Sequence, residues 1–323
     1  MKKGFSYQVR KPISNMKMDK RVAILLCTYN GSKYLRKQLD SITNQTHQSW
    51  VIFASDDGST DDTLDIIKEF QRRYGEDRVV LLHGPGKGFA WNFISALEAS
   101  GNGFDYYAFS DQDDEWMENK LSHALKLLDN NQHKPVVYCG RTLLINEKGD
   151  EIGLSPLFNK TPSFRNALVQ SIAGGNTMVL NKQARDIVIE TPKWQEIVSH
   201  DWWVYILITG CGGKIFYDAS PTIKYRQHQE NIIGSNLSML ARIQRIKKLM
   251  AGHFKCWNDK NIELLKPFTA RLTPENTRIL ASFNSNRNSN ILLRIKMIFD
   301  AKLYRQTFFG NIALIVAIIF NKI

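Results

Sequence analysis

Cysteine is scarce in this chain: Cys27, Cys139, Cys211 and Cys256 stand far apart in 323 residues, with no CxxC pair. That spacing supports neither a disulfide framework nor a zinc site and favours a reducing compartment. Long apolar runs are missing as well. The opening MKKGFSYQVRK leads only to a short apolar run, Val22 to Cys27, which ends in polar residues without a small-residue cleavage pattern, unlike a secretory signal. The apolar run 308–320 would form a helix about 20 Å long, short of the roughly 30 Å hydrocarbon core of a bilayer. No internal repeat or low-complexity tract is present. These absences lead to the expectation of a cytoplasmic protein with a short N-terminal extension, residues 1–20.

Apolar residues make up 43% of the chain, enough to bury a full core in one large domain with an appended piece, or in two domains. Charge is uneven. Residues 224–305 carry 16 Lys/Arg against 5 Asp/Glu, and Lys322 adds one, so the net +12 leaves residues 1–223 near zero.

Four short runs rich in apolar, β-branched or aromatic residues, 22–27 (VAILLC), 50–54 (WVIFA), 79–82 (VVLL) and 105–109 (DYYAF), recur at intervals of about 25–30 residues. Helical spacing fills the gaps, as in Tyr34/Leu35/Leu39/Ile42, Leu64/Ile66/Ile67/Phe70 and Phe89/Phe93/Ile94/Leu97. Strand and helix in alternation predict an α/β fold, a mainly parallel sheet with helices on both faces. Ligands of such sheets sit beyond the C-terminal ends of the strands. The segments TYNGS (28–32), SDDGSTDD (55–62), HGPGKG (83–88) and SDQDD (110–114) each follow one of the four strands, so they are expected on one edge.

In order and interval, VAILLCTYNGSKYL, DDGSTDDT, GKGFAWN and FSDQDDEW resemble the family 2 glycosyltransferases, whose nucleotide-sugar-binding fold is called GT-A. The resemblance runs on through AGGNTMVL (173–180), HDWW (200–203) and YRQHQENIIG (225–234), most like rhamnosyltransferase-type members, and covers roughly residues 22–235. It implies a catalytic domain over 21–235, and the change of pattern beyond it marks a basic helical C-terminal region over 236–323. The implied activity is a non-processive, inverting, metal-dependent transfer of one sugar, rhamnose from dTDP-rhamnose by the nearest resemblance. The Q-x-x-R-W motif of processive synthases is absent. A UDP-hexose donor on the same fold, or a non-catalytic scaffold subunit, are the alternatives. Nucleotidyl transfer would require a Gly-rich, basic phosphate loop after the first strand, where this chain has TYNGSKY.

The resemblance also implies roles for single residues. A nucleoside diphosphate is anionic, so carboxylates hold it only through a divalent cation, and hard oxygen ligands suit Mg²⁺ or Mn²⁺. Asp113 is the expected ligand, with Asp111 completing the D-x-D, Asp114 orienting the shell or meeting the sugar, and His228 contributing from the far side; an acidic cap for the following helix is the competing reading. Thr28, Tyr29 and Asn30 are expected to cradle the nucleotide, although Tyr29 could equally be a rim or core aromatic. Asp56 is placed against the base, where a carboxylate acceptor prefers uracil or thymine to cytosine, while Asp57 and the residues after it could form a turn and helix cap. Gly88 and Asn92 match the family's Gly-rich turn beside the donor, with Lys87 a candidate cation. Arg226 is a candidate diphosphate contact. Asp201 occupies the position of the catalytic base, or caps the helix that follows. Trp202, Trp203 and Gly175 are candidates on the acceptor side, with core packing the alternative for the indoles.

Beyond about residue 236 the pattern turns to basic helices: MLARIQRIKKLM, ENTRILASF, ILLRIKMIFDAKLYR and FFGNIALIVAIIF. Ile291, Leu292, Ile295, Ile298, Phe299 and Leu303 fall on one helical face. Such a terminus either packs on the catalytic domain or lies on the anionic inner face of a membrane, which would suit a saccharide or lipid-linked saccharide acceptor. A homo-oligomer is possible, and no nucleic-acid reader motif is visible.

Overall fold

A computed structural model describes residues 19–129, 133–172, 174–228 and 252–323. The segment MLARIQRIKKLM and the end of YRQHQENIIG lie outside these residues. The four apolar runs are strands β1 (Val22–Thr28), β2 (Trp50–Asp56), β3 (Val79–His83) and β4 (Tyr106–Ser110), each reaching one or two residues further than the apolar run. Helices α1 (Ser32–Thr43), α2 (Thr63–Tyr74) and α3 (Phe89–Ala99) connect them.

The chain continues through β5 (Glu115–Trp116), α4 (Lys120–Leu128), β6 (Val136–Gly140), β7 (Leu143–Ile145) and β8 (Glu151–Leu154). Then come α5 (Phe164–Ala167), β9 (Val179–Asn181), α6 (Lys182–Val188), α7 (His200–Gly210), β10 (Lys214–Asp218) and β11 (Ile223–Arg226). Seven strands form the main sheet in the order β10-β6-β9-β4-β1-β2-β3. All pair in parallel except β9, which is antiparallel to both β4 and β6. A smaller sheet, β5-β11-β7-β8, stands beside it.

Every residue of β1 is buried, as expected of a central parallel strand covered on both faces. The period of two assigns the faces: Ala23, Leu25 and Cys27 join the cluster under α3 and α5–α7, while Val22, Ile24 and Leu26 join that under α1, α2 and α4. Thr28 is level with Asp56, Asp56 with His83, and Leu26 with Ser110, so the four strands end together and their loops meet on one edge as anticipated.

Four more helices follow: α8 (His253–Leu265), α9 (Pro274–Asn286), α10 (Ile291–Asp300) and α11 (Phe308–Ile319). Thr273, Asn290 and Thr307 cap the last three, each accepting a backbone N–H from the first turn. Leu264, Phe268, Phe283, Met297 and Ile318 belong to the same apolar cluster as α7, so these helices share the core of the sheet domain.

Candidate active site

The first two loops are locked together by side chains. Asp56 accepts the backbone N–H of Gly58 at 3.1 Å and of Ser59 at 2.8 Å, and its second oxygen accepts the hydroxyls of Thr28 at 2.7 Å and Ser59 at 2.5 Å. The buried carboxylate is thus taken up by its own loop and by Thr28. Asn30 sits in the left-handed region at φ 49°, which asparagine tolerates, and accepts the N–H of Thr60 at 2.8 Å. Tyr29 between them is 58% exposed.

The third loop hangs on Asp57, which accepts the N–H of Gly86 at 2.7 Å and of Gly88 at 2.9 Å. Gly88 takes φ 84°, open to glycine and strained for other residues. Asn92 fastens α3 to β2, accepting the Ser55 hydroxyl at 2.6 Å and donating to the Ser55 carbonyl at 2.9 Å. Lys87 is exposed on this loop. The fourth loop is tied to the first by Gln112, whose amide accepts from the Tyr29 N–H at 2.8 Å and donates to the Tyr29 carbonyl at 3.0 Å.

Between these loops lie three carboxylates. Asp111 and Asp113 are half-buried and Asp114 buried, and one oxygen of each lies within 4.8 Å of the others. Burial, then the charges of Asp113 and Asp201, push the Asp111 carboxyl up to about 8. Burial raises Asp114 as well. Asp114 is held by the amide of Asn176 and by the Arg226 backbone N–H at 3.1 Å, and His228 Nε2 meets Asp113 Oδ2 at 2.7 Å. Crowded oxygen donors, in which burial first and neighbouring charge second favour a held proton, fit a hard divalent cation, whose positive charge would offset both.

Arg226 is fully buried. Its guanidinium donates to the carbonyls of Asp113 at 3.0 Å and of Asn146 and Glu147 at 3.2 Å, and to the Glu115 carboxylate. It braces the acidic loop against the small sheet, and these bonds take up the fork that the sequence suggested for a diphosphate. Lys120 is also fully buried, its ammonium 3.8 Å from the Trp116 ring centre, and burial lowers its pKa to about 7 against the opposing pull of Asp114.

Asp201 opens α7 and lies near enough to Asp111 for the two charges to repel. It is 7% exposed, and its Oδ1 accepts the Trp202 N–H at 2.7 Å, leaving Oδ2 without a hydrogen bond among the described residues. The N-cap position is Ser199, not Asp201, whose charge lies within the first turn of α7, where it favours the helix N-terminus and leaves one oxygen for a base. His200 stacks on Phe93 at 4.0 Å with Phe109 edge-on at 5.1 Å, and a Cβ on Gly175 would come within 2.0 Å of its Nε2. Gly175 thus makes room for His200. Both indoles are in the core: Trp202 donates to the Ala167 carbonyl at 2.7 Å and stacks on Phe254, and Trp203 donates to Thr191 Oγ1 at 2.8 Å.

Gln112, Asn176 and Lys120 escaped the sequence reading. Gln112 lies inside the SDQDD segment, but only the pairing of β1 with β4 brings it to Tyr29. The other two are ordinary polar residues until the chain closes around Asp114.

Residues 23–186 match the profile of Glycosyl transferase family 2. The chain is 31% identical over 241 residues to the dTDP-rhamnosyl transferase RfbG of Shigella flexneri, covering 68% of this chain and 78% of that protein. It is 25% identical over 262 residues to the uncharacterized glycosyltransferase RP339 of Rickettsia prowazekii, covering 77% and 76%. Among solved structures, S. aureus TarS 1-349 in complex with UDP-GlcNAc shares the fold with a TM-score of 0.53 at 15% identity, over 87% of this chain and 89% of that one. With a mainly parallel sheet, an acidic loop at its carboxyl edge and a profile match over half its length, the chain belongs to glycosyl transferase family 2 and is a glycosyltransferase enzyme of rhamnosyltransferase-like sequence.

Proposed function

We propose that this enzyme moves one rhamnose from dTDP-rhamnose to a growing surface polysaccharide or lipid-linked oligosaccharide, with inversion at the anomeric carbon, at the inner face of the cell membrane. The observation that carries the reading is the meeting of the Asp111–Asp114 cluster at the end of β4 with Asp201 at the start of α7. The similarity to a dTDP-rhamnosyl transferase supports this choice of sugar. A UDP-hexose donor is the second reading, favoured by the UDP-GlcNAc bound to the fold neighbour.

In this mechanism Thr28, Tyr29, Asn30, Asp56 and Asp57 build the wall on which the uracil or thymine ring lies, and Gly88 and Asn92 hold the third loop beside the diphosphate. Asp111 and Asp113 would hold Mg²⁺ or Mn²⁺, with His228 orienting Asp113 or joining as a ligand. When bound, the cation supplies Lewis-acid stabilisation of the charge gathering on the departing diphosphate, worth several kcal/mol. Asp114, buried and held by Asn176 and the Arg226 backbone N–H, orients the acidic loop around the cation site. Asp201 takes the proton from the acceptor hydroxyl as that oxygen attacks, which needs an approach of about 2.6–3.2 Å.

Titration of dTDP, UDP and GDP, each with Mn²⁺ and with excess chelator, tests the donor reading. Metal-dependent binding of dTDP or UDP is expected, lost in Asp113→Ala; a folded protein that binds no nucleotide overturns it. Asp201→Asn should keep nucleotide binding while transfer falls by about 10²–10⁴-fold.

A further inference from the structure

Helix α11 inverts the usual order of a surface helix. It buries Leu314, Ala317 and Ile318 against the core, and each residue it turns to solvent is apolar: Phe308, Phe309, Ile312, Ile315, Val316 and Ile319. Their spacing is that of a single helical stripe. Phe308 is 74% and Phe309 80% exposed. The adjoining α10, packed against α11, adds Leu292 at 75% and Phe299 at 73% exposure. An exposed apolar surface of this extent marks a contact surface.

Charge says what covers it. Residues 288–323 hold five cations, Arg294, Lys296, Lys302, Arg305 and Lys322, against one acid, Asp300. In sequence the cations come before and after the apolar stripe of α11, and Lys296 and Lys302 are exposed, which suits a surface meeting anionic headgroups. Two copies joined through this face would bring together two segments of net charge +4, each on a chain of net charge +12. Spanning is excluded for α11, since its 12 residues reach about 18 Å and no helix among the described residues is long and apolar enough to cross a membrane.

We propose that α10 and α11 form a docking surface for an anionic lipid bilayer, with Phe308 and Phe309 entering the boundary between headgroups and acyl chains and Lys296, Lys302 and Lys322 on the headgroups. The surface gives physical form to the lipid-linked acceptor reading, on which its biological purpose rests, but it uses no residue of the donor site.

The test is flotation of the full-length protein with phosphatidylglycerol/phosphatidylethanolamine vesicles and with phosphatidylcholine vesicles, at about 0.1 M salt, where surface charge still acts over roughly 10 Å. Recovery is expected with the anionic vesicles, and the double variant Phe308→Ser/Phe309→Ser should lower partitioning by about tenfold or more. Lys296→Glu/Lys302→Glu should erase the preference for anionic lipid. Titration of dTDP and UDP on the same preparations separates loss of docking from loss of the donor site. Recovery of the Phe variant equal to the parent's overturns the proposal, as does a dimer dispersed by that variant with no vesicle recovery.

Discussion

At the scale of single residues, His200 carries the clearest pH signature. Burial among Phe93 and Phe109 lowers its pKa to about 4, only partly offset by the charge of Asp201. An unfolded histidine titrates near 6.5, so between about pH 6.5 and 4 the unfolded chain holds the extra proton. Stability from this group is therefore full above about pH 6.5 and is lost as the pH falls toward 4. Urea unfolding at pH 7 and pH 5 should show the loss in the parent and a smaller one in His200→Leu; equal losses would refute it. The motif HDWW placed His200 beside the expected base, but its aromatic surroundings come from α3 and β4, more than 90 residues earlier.

At the scale of elements, the site is a set of loops held by side chains of neighbouring loops. Asp57 reaches from the second loop to the third, and Gln112 from the fourth to the first. Asp57→Ala removes the acceptor for two backbone N–H groups. Since hydrogen bonds to a charged group contribute about 1.5–3 kcal/mol, nucleotide affinity should weaken by about tenfold or more. Calorimetry gives that figure, and hydrogen exchange at residues 84–88 should quicken; a variant with parental affinity and exchange shows that the loop holds its shape without Asp57. These loops were legible in sequence because each is a polar segment behind an apolar run. Their ties were not, since a hydrogen bond between residues 83 apart leaves no local pattern.

At the scale of the whole molecule, the basic C-terminal helices are part of the core. Met297, Leu303, Leu314 and Ile318 sit in the cluster that contains α7. Gln306 accepts the Lys160 N–H at 2.9 Å and donates through its own N–H to Gln170 at 2.8 Å, while Asn166 donates to the Tyr304 carbonyl at 2.9 Å. Deleting residues 287–323 uncovers Phe283 and leaves these groups unpaired, so the melting temperature should fall by more than about 5 °C, or the product should aggregate. A truncated protein that melts with the parent would place these helices outside the cooperative unit. For this reason exposed-face substitutions, not truncation, serve to test membrane docking.

The sequence by itself determined the alternation of strands and helices, the edge on which their loops gather, and the acidic segment at residues 110–114, because periodicity and loop chemistry are local. Resemblance in the motifs pointed to the family. Tertiary structure alone decided that Arg226 is a buried brace, that Trp202 and Trp203 pack inside, that β9 runs against its neighbours, and which face of α11 meets solvent. A helix of the composition FFGNIALIVAII is apolar nearly all round, so its pattern cannot say which side the core will take. That choice is made by the shape of the partner surface.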